Sequence, residues 1–401
     1  MPAFHIINFG CRANQADGAA LARELAARGW QATGDRGAAE TLVLNTCTVT
    51  AAADAEARLA LRRLRREHPE ARIVVAGCYA RRAPLEVAAL AGVTSVLPIL
   101  SADAIAELGG GRAAPATPPP ARVATRPTVR VQDGCHRRCA YCIVPFVRGA
   151  SRSLPLGRVL EEIQSLVAAG AQEVVISGTN LGQWGRDLDH RFRLGDLIGS
   201  ILGQTKLPRL RLSSVEPADW SGELTALMAS EPRLARHAHL PLQSGCDATL
   251  RRMRRPYTAE QYAEKLLRLR GAVPDAGIGA DVMVGFPGET DLEFEQSLAR
   301  VRTLPLSYAH IFRFSSRAGT EAAAFANPVP AAVAQERARA MRQAVAANRA
   351  AFLATQAGQR LKALTLVARR EGETPALTGN FLQIALPRSI PPNQWVEVAI
   401  P

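Results

Sequence analysis

The sequence predicts an α/β protein with three parts: an N-terminal parallel α/β domain, a central partial (β/α)6 barrel and a small C-terminal β-barrel module. Three observations support this fold class. Short apolar segments alternate with amphipathic helical segments over most of the chain, which is typical of parallel sheets. A segment rich in glycine and proline divides this alternation in two, and the tail alternates as strands without a helix between them. The length of 401 residues is that of two or three domains.

The N-terminal domain is predicted from four short strands with helices between them. Helical patterns lie at Gln15–Arg28 and Ala52–Glu67, where apolar residues recur every three and four positions. The alternation predicts a Rossmann-like parallel domain over residues 1–108. The strands are predicted at Phe4–Asn8, Thr41–Asn45, Ile73–Gly77 and Thr94–Leu97.

A linker over residues 109–127 is expected between this domain and the barrel, because the runs Gly109–Gly111 and Pro118–Pro120 cannot hold regular structure. The central domain, residues 128–357, has six predicted β/α units, and its active site is expected at the C-terminal ends of the strands. Strands are predicted at Thr128–Gln132, Glu173–Ser177, Arg209–Ser213, Ala238–Leu242, Ile278–Val284 and Tyr308–Phe314. Helices are predicted near Gly157–Ala169, Leu194–Leu202, Gly222–Ser230, Thr258–Val273, Asp291–Thr303 and Ala331–Gln356.

The tail, residues 358–401, is predicted as a small β module. Its three strands are expected at Leu364–Val367, Phe381–Ala385 and Val396–Ile400.

The composition favours an RNA partner and excludes a membrane protein. The formal net charge is +13, and almost all the basic residues are arginine, whose planar fork suits phosphate and stacks on bases. A genome rich in G and C would also encode arginine rather than lysine on solvated faces. This alternative does not explain the surplus of positive over negative charge. The start of the chain has no secretory pattern and no apolar stretch is long enough to span a bilayer, so a cytoplasmic protein is expected.

Seven cysteines, an odd number in such a chain, argue for metal or catalytic roles and against disulfides. Cys135, Cys139 and Cys142 follow the first barrel strand and offer three thiolates, which leaves one iron of a four-iron cubane open for chemistry. The alternative is a structural zinc site with His136 as the fourth ligand. Adjacent residues rarely reach the same tetrahedral ion, so the cluster is favoured.

Three further cysteines, Cys11, Cys47 and Cys78, each lie just beyond the C-terminal end of a predicted strand. These ends meet at one edge of an open parallel sheet, so the three thiols are expected to converge there. The alternative is three unrelated buried thiols, which are common in cores. The seventh, Cys246, is interpreted as a packed thiol.

These motifs resemble the methylthiotransferases of the radical S-adenosylmethionine superfamily. The Cys-x3-Cys-x2-Cys loop with Tyr141 before its last cysteine is similar to the superfamily motif, and Asn45–Thr50 resembles the branch that acts on N6-threonylcarbamoyladenosine in tRNA. Further matches are Phe9–Gln15, Gly77–Ala80, Val131–Cys135, Pro145–Gly149, Leu212–Pro217 and His239–Cys246.

The resemblance implies two [4Fe–4S] clusters, one on each cysteine trio, together with S-adenosylmethionine. It places Gly285 and Gly288, in the segment Val284–Glu289, at the S-adenosylmethionine site, where glycines let the backbone approach a ligand closely. Ser177–Asn180 stands where the superfamily has Gly-Gly-Glu, so no contact to the cofactor's amino group is carried over there. Three polar residues at strand ends are also expected near the cofactor, each with a simple barrel-rim hydrogen bond as the alternative: Glu216, Gln243 and Ser244.

The implied reaction inserts sulfur at C2 of N6-threonylcarbamoyladenosine at tRNA position 37 and methylates it. Its partners would be the tRNA anticodon stem-loop, an external electron donor and a sulfur donor. Isopentenyladenosine tRNA and a ribosomal-protein aspartate stay open as substrates, and a non-enzymatic two-cluster electron-transfer protein is the distant alternative.

Two kinds of RNA contact are expected. The arginine runs Arg62–Arg66 and Arg251–Arg255 are candidate phosphate contacts, with solvated helix faces as the alternative. The tail resembles the RNA-binding TRAM barrel, best over Thr378–Ile384, although it is short for that module.

Overall fold

The computed structural model describes residues 1–108, 125–188, 192–368, 370 and 372–401. Both runs that predicted the linker, Gly109–Gly111 and Pro118–Pro120, lie outside the described residues.

A five-stranded parallel sheet forms the first part of the chain, in the order β2-β1-β3-β4-β5. This doubly wound order reverses direction between β1 and β3, which is where ligands bind in such sheets. All four predicted strands are present within one residue of the expected ends, and a two-residue edge strand is added. The strands are β1 (Ala3–Asn8), β2 (Gln31–Ala32), β3 (Thr41–Thr46), β4 (Arg72–Gly77) and β5 (Ser95–Leu97).

The helices of this part cover both faces of the sheet. The first begins at Arg12, three residues before the prediction, because Cys11 has the extended backbone of an N-cap residue. Three helices of five to seven residues were not predicted, since they are too short to show a helical period. The helices are α1 (Arg12–Ala27), α2 (Ala51–Glu67), α3 (Cys78–Arg82), α4 (Pro84–Ala88) and α5 (Ala102–Leu108).

Six parallel strands in chain order form the predicted partial barrel, with a short antiparallel strand, β7, beside the first. Between the third and the fourth of these six strands, the backbone pairing is reduced to isolated parallel bridges, such as that of Ser214 with His239. The strands are β6 (Thr128–Asp133), β7 (Arg152–Ser153), β8 (Glu173–Gly178), β9 (Arg209–Leu212), β10 (His237–His239), β11 (Gly277–Val284) and β12 (Tyr308–Arg313).

Strand β10 was predicted over Ala238–Leu242 and is shorter than that. The strand ends at His239, before Pro241, which has no N–H to donate. Leu242 and Gln243 still donate to the Asp281 carbonyl, and the chain turns at Gln243, whose φ is +67°. Helices lie outside the barrel and bury one large apolar core against the strands. They are α6 (Val144–Arg148), α7 (Leu156–Ala168), α8 (Leu194–Gln204), α9 (Gly222–Ser230), α10 (Asp247–Arg252), α11 (Ala259–Ala272), α12 (Asp291–Thr303) and α13 (Ala331–Gln356).

The tail is one antiparallel sheet of four strands in the order β15-β14-β13-β16. The prediction missed β14, in which Pro375 interrupts the strand pattern, and it placed the first strand about four residues too late. The strands are β13 (Arg360–Thr365), β14 (Thr374–Thr378), β15 (Gln383–Leu386) and β16 (Trp395–Ala399).

The tail sheet docks at the N-terminal ends of the barrel strands, the barrel floor. Arg211 donates to the carbonyls of Thr378 and Gly379 at 2.9 and 3.0 Å, and the Phe381 ring stacks on His237 with centroids 4.3 Å apart. The segment that best resembles an RNA-binding module is therefore a contact with the barrel. No helix among the described residues is long and apolar enough to cross a membrane.

Candidate active site between two cysteine trios

The loop between β6 and α6 brings Cys135, Cys139 and Cys142 together; we call these three the loop trio. Backbone hydrogen bonds shape the loop, from the Cys135 N–H to the Gly149 carbonyl at 3.0 Å and from the Ala140 N–H to the Met253 carbonyl at 3.1 Å. Burial, together with the nearby thiols of Cys139 and Cys135, raises the pKa of Cys142 to about 12. Metal binding needs thiolates, so the three thiols must lose their protons when iron binds.

Donors surround the sulfur atoms of the loop trio. Arg255 donates to Cys139 Sγ at 3.2 Å, and the Arg137 N–H donates to Cys135 Sγ at 3.3 Å. N–H···S hydrogen bonds of this kind stabilise thiolates and tune the iron they bind. Arg255 is 7% exposed and also pairs with Glu216. The predicted cofactor residue Glu216 is thereby joined to the loop trio.

Cys11, Cys47 and Cys78 also converge, at the C-terminal edge of the first sheet; we call them the edge trio. Cys11 caps α1, Cys47 follows β3 directly, and Cys78 begins α3 directly after β4. The side-chain oxygen of Asn14 lies 3.9 Å from Cys11 Sγ and 3.8 Å from Cys78 Sγ. Burial raises the pKa of Cys78 to about 11. The convergence expected from the strand ends is present, so these are not three unrelated thiols.

Glycine is required where the edge trio is assembled. Gly10 has a φ of +85°, and a Cβ there would lie 2.4 Å from Cys47 Cβ and 2.7 Å from its sulfur. Gly77, before Cys78, has a φ of +90°, and its Cβ would lie 2.5 Å from the Thr46 carbonyl oxygen. Both positions need the left-handed backbone and the absence of a side chain that only glycine combines.

The thiol sets fit iron–sulfur clusters better than single ions. Within the described part of the chain, no three His, Cys, Asp or Glu side chains converge tightly enough to hold one metal ion. A cubane spreads its ligands over several iron atoms, so its thiolates lie further apart than the ligands of a zinc ion. The zinc alternative also needs His136, whose side chain is exposed.

Four other predicted cofactor residues make hydrogen bonds within the barrel domain. The Gln243 carbonyl accepts from the Met283 N–H at 2.8 Å, and the Ser244 hydroxyl accepts from the Cys246 N–H at 3.2 Å. The Gly285 N–H donates to the Glu289 carboxylate at 2.6 Å, and a Cβ at Gly285 would lie 2.8 Å from Ala334 in α13. The Gly288 N–H donates to the Asn327 carbonyl at 2.8 Å. Gly285 thus has a packing reason and Gly288, with a φ of +76°, has a backbone one, and their contact with a cofactor stays a prediction.

The remaining cysteine is a packed thiol, as interpreted from the sequence. Cys246 is 3% exposed and caps α10, and its sulfur donates to Gln296 Oε1 at 3.1 Å.

Several arginines of the two runs are not available to bind phosphate. Arg255 is buried at the loop trio, and Arg252 pairs with Glu293 at 2.6 Å. Arg65 donates to the carbonyls of Pro69 and Gly92 at the end of α2, at 2.5 and 2.6 Å. The phosphate interpretation is wrong for these three arginines, because tertiary contacts decide which guanidinium is solvated.

Sequence reasoning missed the polar residues that join the two trios, although the quoted motifs contain several of them. Asn14 lies in Phe9–Gln15, Asp133 in Val131–Cys135 and Arg148 in Pro145–Gly149. A second group, buried next to Cys47, joins the first sheet to the barrel: Asp54 accepts from Arg82 at 3.0 Å and from Arg317 at 2.5 Å, and both arginines donate to Thr48. A charged residue inside an otherwise apolar motif was the available signal for the first group.

Two family models match the chain. The model described as uncharacterized protein family UPF0004 matches residues 3–97, and that of the radical SAM superfamily matches residues 129–301. The solved structures of a radical S-adenosylmethionine methyltransferase, TsrM, from Kitasatospora setae and of the cobalamin-dependent S-adenosylmethionine radical enzyme OxsB share the fold. Their TM-scores are 0.56 and 0.53, at 16% and 11% identity, over 78% and 80% of this chain and 75% and 54% of theirs.

Curated relatives match nearly the whole chain. A tRNA-2-methylthio-N(6)-dimethylallyladenosine synthase from Novosphingobium aromaticivorans is 36% identical over 93% of this chain and 88% of its own length. The threonylcarbamoyladenosine tRNA methylthiotransferases MtaB of Aquifex aeolicus and Bacillus subtilis are 32% and 33% identical, over 94% and 84% of this chain and 94% and 78% of theirs.

These relatives are enzymes, so the two-cluster electron-transfer alternative is not supported. Members of their family use S-adenosylmethionine and [4Fe–4S] clusters, which is the chemistry that the two trios fit. With both family models and full-length relatives in agreement, the chain belongs to the radical S-adenosylmethionine methylthiotransferase family.

Proposed function

We propose that this enzyme converts N6-threonylcarbamoyladenosine at position 37 of tRNA, beside the anticodon, to its 2-methylthio derivative. In the proposed reaction one electron from an external reductant cleaves the first S-adenosylmethionine, methionine is released, and the C2 hydrogen leaves on 5′-deoxyadenosine. Sulfide from an external donor bonds to C2 with loss of its proton and return of that electron. A second S-adenosylmethionine methylates this sulfur and leaves as S-adenosylhomocysteine. The observation that carries the proposal is the gathering of six thiols into two separate trios.

Each trio is proposed to hold one [4Fe–4S] cluster through three thiolates, with one iron left without a protein ligand. When bound at the loop trio, such a cluster supplies the electron for S-adenosylmethionine cleavage, which opens a C2–H bond that acid–base groups cannot open. The edge trio is proposed to carry the sulfur, so that one trio serves each half of the reaction.

The chain's own groups contact the sulfurs of the loop trio. Arg255 and the Arg137 N–H donate to loop-trio sulfurs, and Glu216 holds Arg255 in place. Glu216, Gln243, Ser244, Gly285 and Gly288 remain the proposed contacts of S-adenosylmethionine. Glu216 is supported by its position at the loop trio, Gln243 and Ser244 by their place at a strand end, and the two glycines by the resemblance.

The choice of adenosine rests on a short motif. Asn45–Thr50 resembles the threonylcarbamoyl branch, and relatives of that name support it. In the folded chain its threonines have internal roles: Thr46 donates to the Ala76 carbonyl at 2.5 Å, Thr48 contacts Asp54, and Thr50 caps α2. The relative that is 36% identical bears the dimethylallyladenosine name and supports that nucleoside as the second candidate.

The RNA partner is proposed from charge and from the relatives. The net charge of +13 suits a phosphate backbone, and a base in an unpaired loop can be flipped out into a site between the trios. Any RNA contact by the tail must use surfaces other than Gly379 and Phe381, because these pack on the barrel floor.

The test is a matched pair of anticodon stem-loops, one bearing threonylcarbamoyladenosine and one bearing isopentenyladenosine. Each is incubated anaerobically with reconstituted enzyme, S-adenosylmethionine, sulfide and a chemical reductant, and its nucleosides are analysed by mass spectrometry. A 2-methylthio product on the first stem-loop is expected. Product only on the second would reassign the substrate, and product on neither, with modified ribosomal protein in a parallel reaction, would overturn the tRNA assignment.

A further inference from the structure

Four charged side chains form a closed ring between the two trios. Asp17 lies on α1, Arg130 and Asp133 lie on β6, and Arg148 ends α6. Arg130 reaches Asp17 and Asp133 at 2.6 Å each, and Arg148 reaches the same two carboxylates at 2.9 and 2.8 Å. Because each arginine bridges both aspartates, the ring is neutral and joins the first sheet's helix to the first barrel strand.

The ring is tied to each trio by short stretches of chain. Cys11, Asn14 and Asp17 follow at intervals of three on α1 and share one side of the helix. On the barrel side, Asp133 precedes Cys135 by two residues, and Arg148 follows Cys142 at the end of the next helix. A movement of the ring would therefore move both sets of thiols.

Beyond the ring, Arg148 contacts Asn14 and also lies beside Cys78 of the edge trio. Its Nη2 donates to the Asn14 side-chain oxygen at 2.6 Å, the same oxygen that lies beside the sulfurs of Cys11 and Cys78. Asn14 is itself held, because its amide nitrogen donates to the carbonyls of Phe9 and Thr46 at 3.1 and 2.8 Å. A continuous polar path thus runs from the residues before the loop trio to the sulfurs of the edge trio.

We propose that Arg148 is a positioning residue that sets the edge trio at a defined separation from the loop trio. The inference rests on the proposed function, which places one cluster on each trio. The planar guanidinium is suited to this role, since its two terminal nitrogens meet Asp133 on one side and Asn14 and Asp17 on the other. Its side chain is 7% exposed, so water does not replace these contacts when one is lost.

The experiment uses the full chain, reconstituted anaerobically, with Arg148→Lys and Asp17→Asn as variants. Arg158→Gln is the matched control, because Arg158 makes an exposed ion pair with Glu161 on the outer helix α7. Three quantities are measured: iron per chain, the magnetic interaction between the reduced clusters in electron paramagnetic resonance spectra, and the molar ratio of 5′-deoxyadenosine to methylthio product.

Arg148→Lys is expected to keep the iron content of the parent, weaken the interaction between the clusters, and raise the 5′-deoxyadenosine ratio. The rise should be about tenfold or more, since a misplacement of about 1 Å can cost about 10²-fold in rate. Asp17→Asn, which breaks another corner of the ring, should change both readouts in the same direction, and Arg158→Gln should change neither.

An unchanged magnetic interaction and an unchanged ratio in Arg148→Lys would overturn the positioning role. If that variant fails to fold, the same null result in Asp17→Asn overturns it. A parent protein that binds only about one cluster's worth of iron would instead contradict the proposed function. In that case the cluster-free chain still tests the geometry: Arg148→Lys should expose Cys78 to alkylation and leave Cys142 at its parent rate, and equal rates at Cys78 would overturn the inference.

Discussion

The loop trio and the edge trio each bring three thiols together, but they do so in different ways. The loop trio lies within one connection between β6 and α6, whereas the edge trio comes from the ends of three strands separated by whole helices. The edge trio exists only after β1, β3 and β4 have paired, and two of its cysteines flank the point where the sheet reverses its strand order. The comparison shows that a local motif and a tertiary assembly can each bring three thiols together.

The surroundings of the trios also differ. Arg255, a cation, donates to a loop-trio sulfur, and the Arg137 N–H donates to another. At the edge trio, the neutral side-chain oxygen of Asn14 lies near Cys11 and Cys78, and the guanidinium of Arg148 lies beside Cys78. Hydrogen bonds and charge near the sulfurs set cluster potentials, so the loop trio is expected to be the more readily reduced of the two.

The largest effect is expected from removing one thiol of each trio. Cys139→Ala should abolish 5′-deoxyadenosine formation, whereas Cys47→Ala should retain it and lose only the methylthio product. Each variant should hold about half the iron of the parent, which colorimetric iron analysis would show. Cys246→Ala is the control, because that thiol is packed against Gln296 away from both trios. Loss of 5′-deoxyadenosine in Cys47→Ala would break the division of labour between the trios.

A substitution at the barrel floor should lower the stability of the fold without changing a residue of either trio. Glu173 is fully buried and pairs with Arg126, Arg209 and Arg211. Glu173→Gln leaves these arginines without their counter-charge and should lower the free energy of unfolding by about 3–5 kcal/mol. Denaturant unfolding of the cluster-free chain would measure this. Glu161→Gln, at an exposed pair, should change it by less than about 1 kcal/mol.

The buried ionisable groups of the barrel floor also predict that the stability of the fold decreases at acid pH. Burial alone would raise the pKa of Glu173, but Arg211, Arg126 and Arg209 lower it below its ordinary value. The stabilisation from its ionised form is therefore complete above the unfolded pKa of about 4.3 and is lost as the pH falls below it. Burial lowers the pKa of His237, so its protonation in the unfolded chain removes stability as the pH falls through about 6.5. Glu173→Gln should flatten the fall in the free energy of unfolding below about pH 4.3. A variant whose stability falls as steeply as the parent's in that range would contradict the assignment to Glu173.

Arg255→Met tests the cation at the loop trio. It leaves Glu216 partly buried without its partner and should cost about 3 kcal/mol of stability. Losing the N–H···S bond to Cys139 should also lower the potential of the loop-trio cluster by roughly 60 mV, tenfold for a one-electron couple. A redox titration followed by electron paramagnetic resonance would measure the shift. Arg254→Met, at an exposed pair with Glu321, is the neighbouring control, and equal potentials in the two variants would contradict the prediction.

The smallest effect is expected from Asn14→Asp at the edge trio. The carboxylate cannot donate to the carbonyls of Phe9 and Thr46, so a loss of about 1–3 kcal/mol is expected. Iron retention after mild chelation should fall by no more than half, because the loop trio keeps its share. Gln15→Glu is the isosteric control on the exposed side of the same helix. Loss of all the iron from Asn14→Asp would show that the two trios depend on each other more than the comparison allows.

Local and periodic features were predictable from the sequence. The alternation of strands and helices predicted the parallel sheet and the six-stranded barrel, because hydrophobic period follows directly from which face of an element is buried. The spacing of Cys135, Cys139 and Cys142 predicted that these thiols lie together, since neighbours in one loop are close whatever the rest of the chain does. The positions of Cys11, Cys47 and Cys78 at strand ends predicted their convergence, because parallel strands end at one edge.

The sequence by itself thus determined the order of elements and the six thiols. Only the tertiary structure decided which charged residues are solvated and which are buried. Arg255 and Arg148 look like any other arginine in an arginine-rich chain, yet one lies against Cys139 and the other joins two parts of the molecule. The strand β14, interrupted by Pro375, likewise forms only because β13 and β15 pair with it on either side. The partners of these charges are distant in sequence and β14 depends on the strands beside it, so no local period encodes either.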